Sequence, residues 1–183
     1  MKAAWLERYS KAEPHLTVGE QPTPSVGAKD VLLRVSVAAV NPLDNMIAHG
    51  EVKAIVPYKT PLIMGNECVG IVEKTGASAT KFKPGERVYC RLPLSRIGAS
   101  PVMKLAFGFV GRKNDKLAAK NGQTYDFIFV HSDGTQLAEA SDILAQRAIR
   151  PSVDGVFDIS EVDAALKKVA GGGSRGKTVL HIQ

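Results

Sequence analysis

Cysteine, histidine and aromatic residues are scarce in this sequence. Two cysteines, Cys68 and Cys90, fit a reducing compartment; a disulfide between them is possible in principle, but buried free thiols are the expected state. His15, His49, His131 and His181 show no ligand spacing and read as structural or surface groups. No Ser-His-Asp or Cys-His arrangement can be argued from spacing either. Long apolar runs are also missing. None approaches the ~20 residues needed to cross a bilayer, and MKAAWLERYSK lacks the apolar stretch of a signal peptide. A cytoplasmic location and no stable membrane insertion are therefore expected. Basic residues outnumber acidic ones by 24 to 18, giving a net charge of +6. Only Pro101–Lys120 clusters that charge near aromatics, so no nucleic-acid partner is expected.

What is present suits one domain, or one and a fraction: 183 residues, 44% hydrophobic and 23% charged. MKAAWLE reads as a strand. A short strand follows in HLTVGEQ, then a loop marked by Pro22, Pro24 and Gly27. From Asp30 to Val40 the sequence alternates, with Val31, Leu33, Val35 and Val37 set against Leu32, Arg34 and Ser36, the period of a strand. Asn41-Pro42-Leu43-Asp44 starts a helix: Asn as N-cap, Pro at the first position, Asp near the positive end of the dipole, with Gly50 as the stop. EVKAIVPYKTPLIM reads as a loop, GNECVGIVEKTG and KPGERVYCR as strands.

After Arg91 the character changes. PVMKLAFGFVGRKNDKLAAKNG reads as amphipathic helix with Gly breaks, TYDFIFV as a strand, and SDGTQLAEASDILAQRAI as a helix with Leu137, Ile143 and Leu144 available for burial. RPSVDGVFD is a strand. SEVDAALKKVAGGG is a helix capped by Ser160, with Val162, Leu166 and Val169 on one face. KTVLHIQ is the last strand. Residues 171–178, GGGSRGKT, match the phosphate-loop pattern. That motif needs a strand before it and a helix after it. Here a helix precedes and a strand follows, so the run is read as a Gly-rich turn.

Four stretches, AVNPLD, PLIMGNECVGIVEKTG, KPGERVY and RPSVDGVFDISEVDAALKKVAGGGSRGKTVL, together resemble the medium-chain dehydrogenase/reductase superfamily on its zinc-independent, alcohol dehydrogenase-like side, as in NADPH:quinone oxidoreductases. The resemblance implies an α+β fold that is mainly β with helices: a GroES-like β-barrel substrate domain over 1–98 and 148–183. Residues 101–147 would then be a helix-strand-helix remnant of a Rossmann nucleotide-binding domain. Only residues 92–100 separate Arg91 from Pro101, whereas one βαβ unit needs about 30 residues. No Gly-rich fingerprint follows a strand there. A natural and an engineered shortening both fit the junction at Ala99-Ser100.

The resemblance also implies a site. Asn41 and Asp44 would face substrate and nicotinamide as the catalytic pair, the amide polarising a quinone or enone carbonyl. Asn66 and Glu67 would complete the substrate pocket. In zinc-dependent relatives a Cys takes the place of Asn41 and a His that of Asn66. An amide supplies neither thiolate nor imidazole, and the four-cysteine structural zinc loop is missing too, so no metal is expected. NADP(H) is the family cofactor, but this chain alone is expected to bind none and not to turn over. The expected partners are a small-molecule quinone or enone and a second copy of the chain, through the Tyr125–Val130 strand or the Pro101–Lys120 helix. The other readings are a non-catalytic binding or assembly module on the same fold and, more remotely, a basic membrane or nucleic-acid binder.

Overall fold

A computed structural model describes residues 1–53, 57–91, 116–120, 122 and 133–182. The chain divides into two compact units, Met1–Leu92 with Ala148–Gln183, and Pro93–Arg147. The first is α+β. Strands β1 (Lys2–Leu6), β2 (Thr17–Glu20) and β4 (Leu62–Ile63) form a three-stranded sheet in the order β2-β1-β4. Strands β3 (Val31–Val40), β5 (Glu67–Thr75), β6 (Arg87–Arg91), β7 (Val153–Asp158) and β8 (Lys177–His181) form a five-stranded sheet in the order β6-β5-β3-β8-β7. All pairings are antiparallel except β7 with β8.

Strand β3 forms where the alternation predicts it, and Arg34 and Ser36 are its exposed positions. Helix α1 (Pro42–His49) follows at once and ends at Gly50, whose φ of 75° is the left-handed cap that glycine adopts without strain. The Leu62–Ile63 strand lies inside a stretch expected to be loop. Two residues are too few for a periodic signal, and the strand exists because Trp5 and Leu6 pair with Ile63 and Leu62.

The C-terminal segment differs in one detail from expectation. Asp158, not Ser160, caps its start: the carboxylate accepts from the Ser160 backbone N–H at 2.9 Å and from its hydroxyl at 2.7 Å. Glu161 reaches back to the Asp158 N–H at 3.0 Å. This capping box closes a short 3-10 turn over Ile159–Glu161, which leads into the α-helix Val162–Ala170. Val162, Ala165 and Leu166 bury the apolar face of that helix against Leu6, Leu16, Val40, Ala48 and Leu180, with Val169 packed at the margin. The Asn45 amide on α1 donates to the Leu166 carbonyl at 3.0 Å and fixes the two helices against each other.

In the second unit the helix Gly134–Gln146 is capped by Asp133, whose carboxylate accepts from the N–H groups of Thr135 and Gln136. Leu137, Ile143 and Leu144 stay exposed rather than buried. Residues 116–120 are helical. The rest of the Pro101–Lys120 helix, and the whole Tyr125–Val130 strand, lie outside the described residues.

Two positions carry stability predictions. A Cβ on Gly70 would stand 2.5 Å from the Arg34 carbonyl oxygen, at the irregularity where β3 and β5 shift register. Gly70→Ala must push the two strands apart and should lower unfolding free energy by ~1–3 kcal/mol, read as a fall in urea midpoint. Thr178 is 2% exposed, and among the described residues its hydroxyl has no hydrogen-bond partner. Thr178→Val should raise stability by about 1 kcal/mol. A lower Tm would show that the hydroxyl is satisfied in solution.

Candidate active site

The register of the five-stranded sheet brings distant residues to one end of it. Cys68 lies opposite both Ala38 and Cys90, Glu67 opposite Arg91, and Thr178 opposite Val40. The start of β5, the end of β6, the end of β3 and the start of β8 therefore meet. Asn41 and Asp44 follow β3 directly, Asn66 precedes β5, and Lys177 opens β8.

All four residues expected at the site converge there. Asp44 is 4% exposed. One of its carboxylate oxygens accepts from the Asn41 backbone N–H at 2.7 Å, the other from the Asn66 amide at 3.1 Å. The first bond holds the N-terminus of α1 and the second ties that helix to the start of β5. The Asn41 amide donates to Glu67 at 3.3 Å. Asn41 occupies the N-cap position of α1, and its side chain is also drawn into the cluster: its carbonyl oxygen accepts from the Lys177 ammonium at 2.6 Å.

Lys177, with Arg91, is what sequence reasoning missed. It also pairs with Glu67 at 3.0 Å, and Arg91 approaches the other Glu67 oxygen at 3.8 Å. Its place inside GGGSRGKT draws the eye to phosphate binding, yet the run is a turn into β8, with Gly172 and Gly173 both at φ 68°. Only the β3–β8 pairing reveals its role, and its position as first residue of the last strand after a Gly turn is the one local hint.

The two carboxylates respond oppositely. Burial is the largest influence on Asp44 and, with the nearby Glu67 charge, raises its pKa above the ordinary value against the bonds from Asn41 and Asn66 and the Lys177 charge. Burial also works to raise that of Glu67, but the hydrogen bond and charge of Lys177, with Asn41 and Arg91, outweigh it and hold the carboxyl below the ordinary value.

A cavity of about 650 Å³ adjoins this cluster, lined by apolar groups from both sheets and the last helix, among them Ala4, Val35, Leu166 and Leu180, and by Leu16 just before β2. Asp44, Asn66 and Glu67 supply polar groups to its wall. Among the described residues, no three His, Cys, Asp or Glu side chains come together to hold a metal ion. No helix there is long and apolar enough to cross a membrane. His15 pairs with Asp163, and His49 contacts the Ser10 carbonyl at 3.1 Å.

Residues 27–135 match the alcohol dehydrogenase GroES-like domain. The chain belongs to that family, and with it to the medium-chain dehydrogenase/reductase superfamily. The domain is 34% identical over 87 residues to the dehydrogenase orsE of Emericella nidulans, covering 48% of this chain and 23% of that protein. It is 32% identical over 92 residues to the chloroplastic quinone-oxidoreductase QR1 of Triphysaria versicolor, covering 50% and 28%. The matches thus span about a quarter of these relatives' length. The quinone oxidoreductase structure from Coxiella burnetii superposes with a TM-score of 0.75 at 14% identity, covering 100% of this chain and 99% of that one. At that identity the likeness carries the fold alone.

The opposed shifts give a signed prediction. Glu67 contributes stability above its unfolded pKa, lost as pH falls through its folded value. Asp44 contributes stability below its unfolded pKa, lost as pH rises through its raised folded value. Carboxyl titration by NMR should place Glu67 below and Asp44 above an ordinary carboxylate. Lys177→Met should move Glu67 upward by removing the partner that offsets burial. An unmoved Glu67 would mean that Lys177 is not its partner in solution.

Proposed function

We propose that this GroES-like domain is the substrate side of an NAD(P)H-dependent oxidoreductase of the quinone or enone reductase type, zinc-independent, and unable by itself to bind cofactor or turn over. The observation that carries the reading is the polar cluster Asn41–Asp44–Asn66–Glu67, of which Asp44, Asn66 and Glu67 line an apolar cavity. Planar conjugated carbonyl compounds need both features: apolar walls for the ring, and a few fixed donors for the oxygen.

In this reading Asn41 and Asn66 each have two amide N–H groups, one directed to a carboxylate and the second available to a substrate oxygen. Their Glu67 and Asp44 partners fix the amide orientation, and the Lys177 ammonium bonded to Asn41 favours negative charge arriving on that oxygen. Asp44 acts through Asn66 and the helix start, as a positioning residue.

The donor set does not suit a catalytic zinc, because amides stand at both positions where thiolate and imidazole would be needed. Nor do the described residues suit a dinucleotide. Its pyrophosphate takes a Gly-rich turn between a strand and the N-terminus of a helix, whereas Gly171–Gly176 runs from the end of a helix into β8. No hydride step is therefore assigned to this chain. The dimer expected from the family is part of the same proposal. A non-catalytic binding module is the second reading, favoured by the way Asn41, Glu67 and Lys177 satisfy one another.

Titration with a naphthoquinone, followed by NMR of the Asn side-chain amides, should show saturable binding that shifts Asn41 and Asn66. Asn41→Ala and Asn66→Ala should each weaken it about tenfold, ~1.4 kcal/mol, together with a fall in Tm from the lost cap and the lost bond to buried Asp44. Unchanged affinity favours the module reading. NADPH should give neither saturable nicotinamide fluorescence nor a rise in Tm. Quinone-dependent NADPH oxidation by the purified chain would overturn the claim of inactivity.

A further inference from the structure

We propose that Cys68 and Cys90 form a reversible dithiol–disulfide site that reacts with low-molecular-weight disulfides, and that its oxidation clips strand β6 to β5 beside Glu67. This inference does not rest on the substrate reading, since neither cysteine belongs to the polar cluster, although Cys68 lines the same cavity.

The geometry is the basis. The two residues are direct partners across the antiparallel β5–β6 pair. Facing residues in such a pair have Cα atoms about 4.5–5.5 Å apart, inside the range of about 4.4–6.8 Å that a disulfide spans. Their sulfurs are 3.3 Å apart as free thiols, so side-chain rotation without strand displacement brings them to bonding distance. Both are free thiols, as expected, but half-buried rather than buried in the core, and Cys68 lines the cavity. A small disulfide therefore has a path to the pair that a core thiol would not offer.

The environment sorts the roles. With the Cys68 thiol donating, the Cys68–Cys90 hydrogen bond draws the Cys90 thiol down to about 7, burial opposing. The same hydrogen bond, burial and the adjacent thiolate push Cys68 up. Cys90 is then the attacking thiolate and Cys68 the resolving thiol. The Cys90 sulfur attacks one sulfur of the external disulfide, expelling the first thiolate and leaving a mixed disulfide. Cys68 gives up its proton and attacks the Cys90 sulfur, expelling the second. Two protein thiols are oxidised by two electrons, and one external disulfide is reduced to two thiols. The product joins β6, which pairs only with β5 among the described strands, to its neighbour one residue from the Glu67–Arg91 pair.

The test is intact-mass analysis after incubation with glutathione disulfide, with and without later reduction. The wild-type chain should lose two hydrogens, retain no glutathione, gain Tm, and revert with dithiothreitol. Cys68→Ser should accumulate one glutathione on Cys90, and Cys90→Ser should react several-fold more slowly. A wild-type chain that keeps a stable glutathione adduct, or stays fully reduced in excess glutathione disulfide, would overturn the proposal. The wild-type readout stands even where a variant folds poorly.

Discussion

Strand β3 is hydrogen-bonded on both edges, to β5 on one side and β8 on the other. These two pairings join residues far apart in the chain and fix which ends meet. Because side chains alternate with period two, a slip of one residue would turn Val37 and Ala38 to the wrong face and carry Lys177 away from Asn41. The buried Val40 and Leu180, set near each other by the same register, make that slip costly. Hydrophobic burial inside the unit thus sets the geometry of a polar cluster at its edge.

That cluster divides its work between a buried carboxylate and a partly exposed one. Asp44 gives both oxygens to neutral donors and, among the described residues, has no cation in direct contact, so desolvation prevails. Glu67 sits between Lys177 and Arg91, so ion pairing prevails. The result is two acids one hydrogen-bonded step apart, Asp44 through Asn41 to Glu67, held at different protonation tendencies by placement alone.

Much of this was readable in the sequence, and the parts that were not share a cause. The period of Val31–Val40, the Asn-Pro-x-Asp start of α1 and the Gly50 stop are local signals, and each element formed where its signal stood. Asn41, Asp44, Asn66 and Glu67 came from family likeness, and the structure brings them together. Lys177 and Arg91 escaped notice because their roles exist only through strand register, which no window of neighbouring residues encodes. The Leu62–Ile63 strand escaped for the same reason. The cap at Asp158 was misplaced by two residues, since Asp and Ser in sequence compete for the same backbone donors and only the 3-10 turn decides between them. The facing of Cys68 and Cys90 was likewise invisible until β5 and β6 were in register.

The β6 strand ends at Arg91 and β7 begins at Val153, yet both belong to one sheet in one compact unit. The chain between them, which holds the second unit, must leave and return at that point, and the closure entropy of such an excursion grows only slowly with length, by about 0.6 kcal/mol per doubling. The polar cluster draws on residues from both sides of that gap, Glu67 and Arg91 before it and Lys177 after it. A chain built this way can keep its site while the segment in the middle shrinks or grows, because the register of the sheet, and not the length of that segment, sets where Glu67, Arg91 and Lys177 meet.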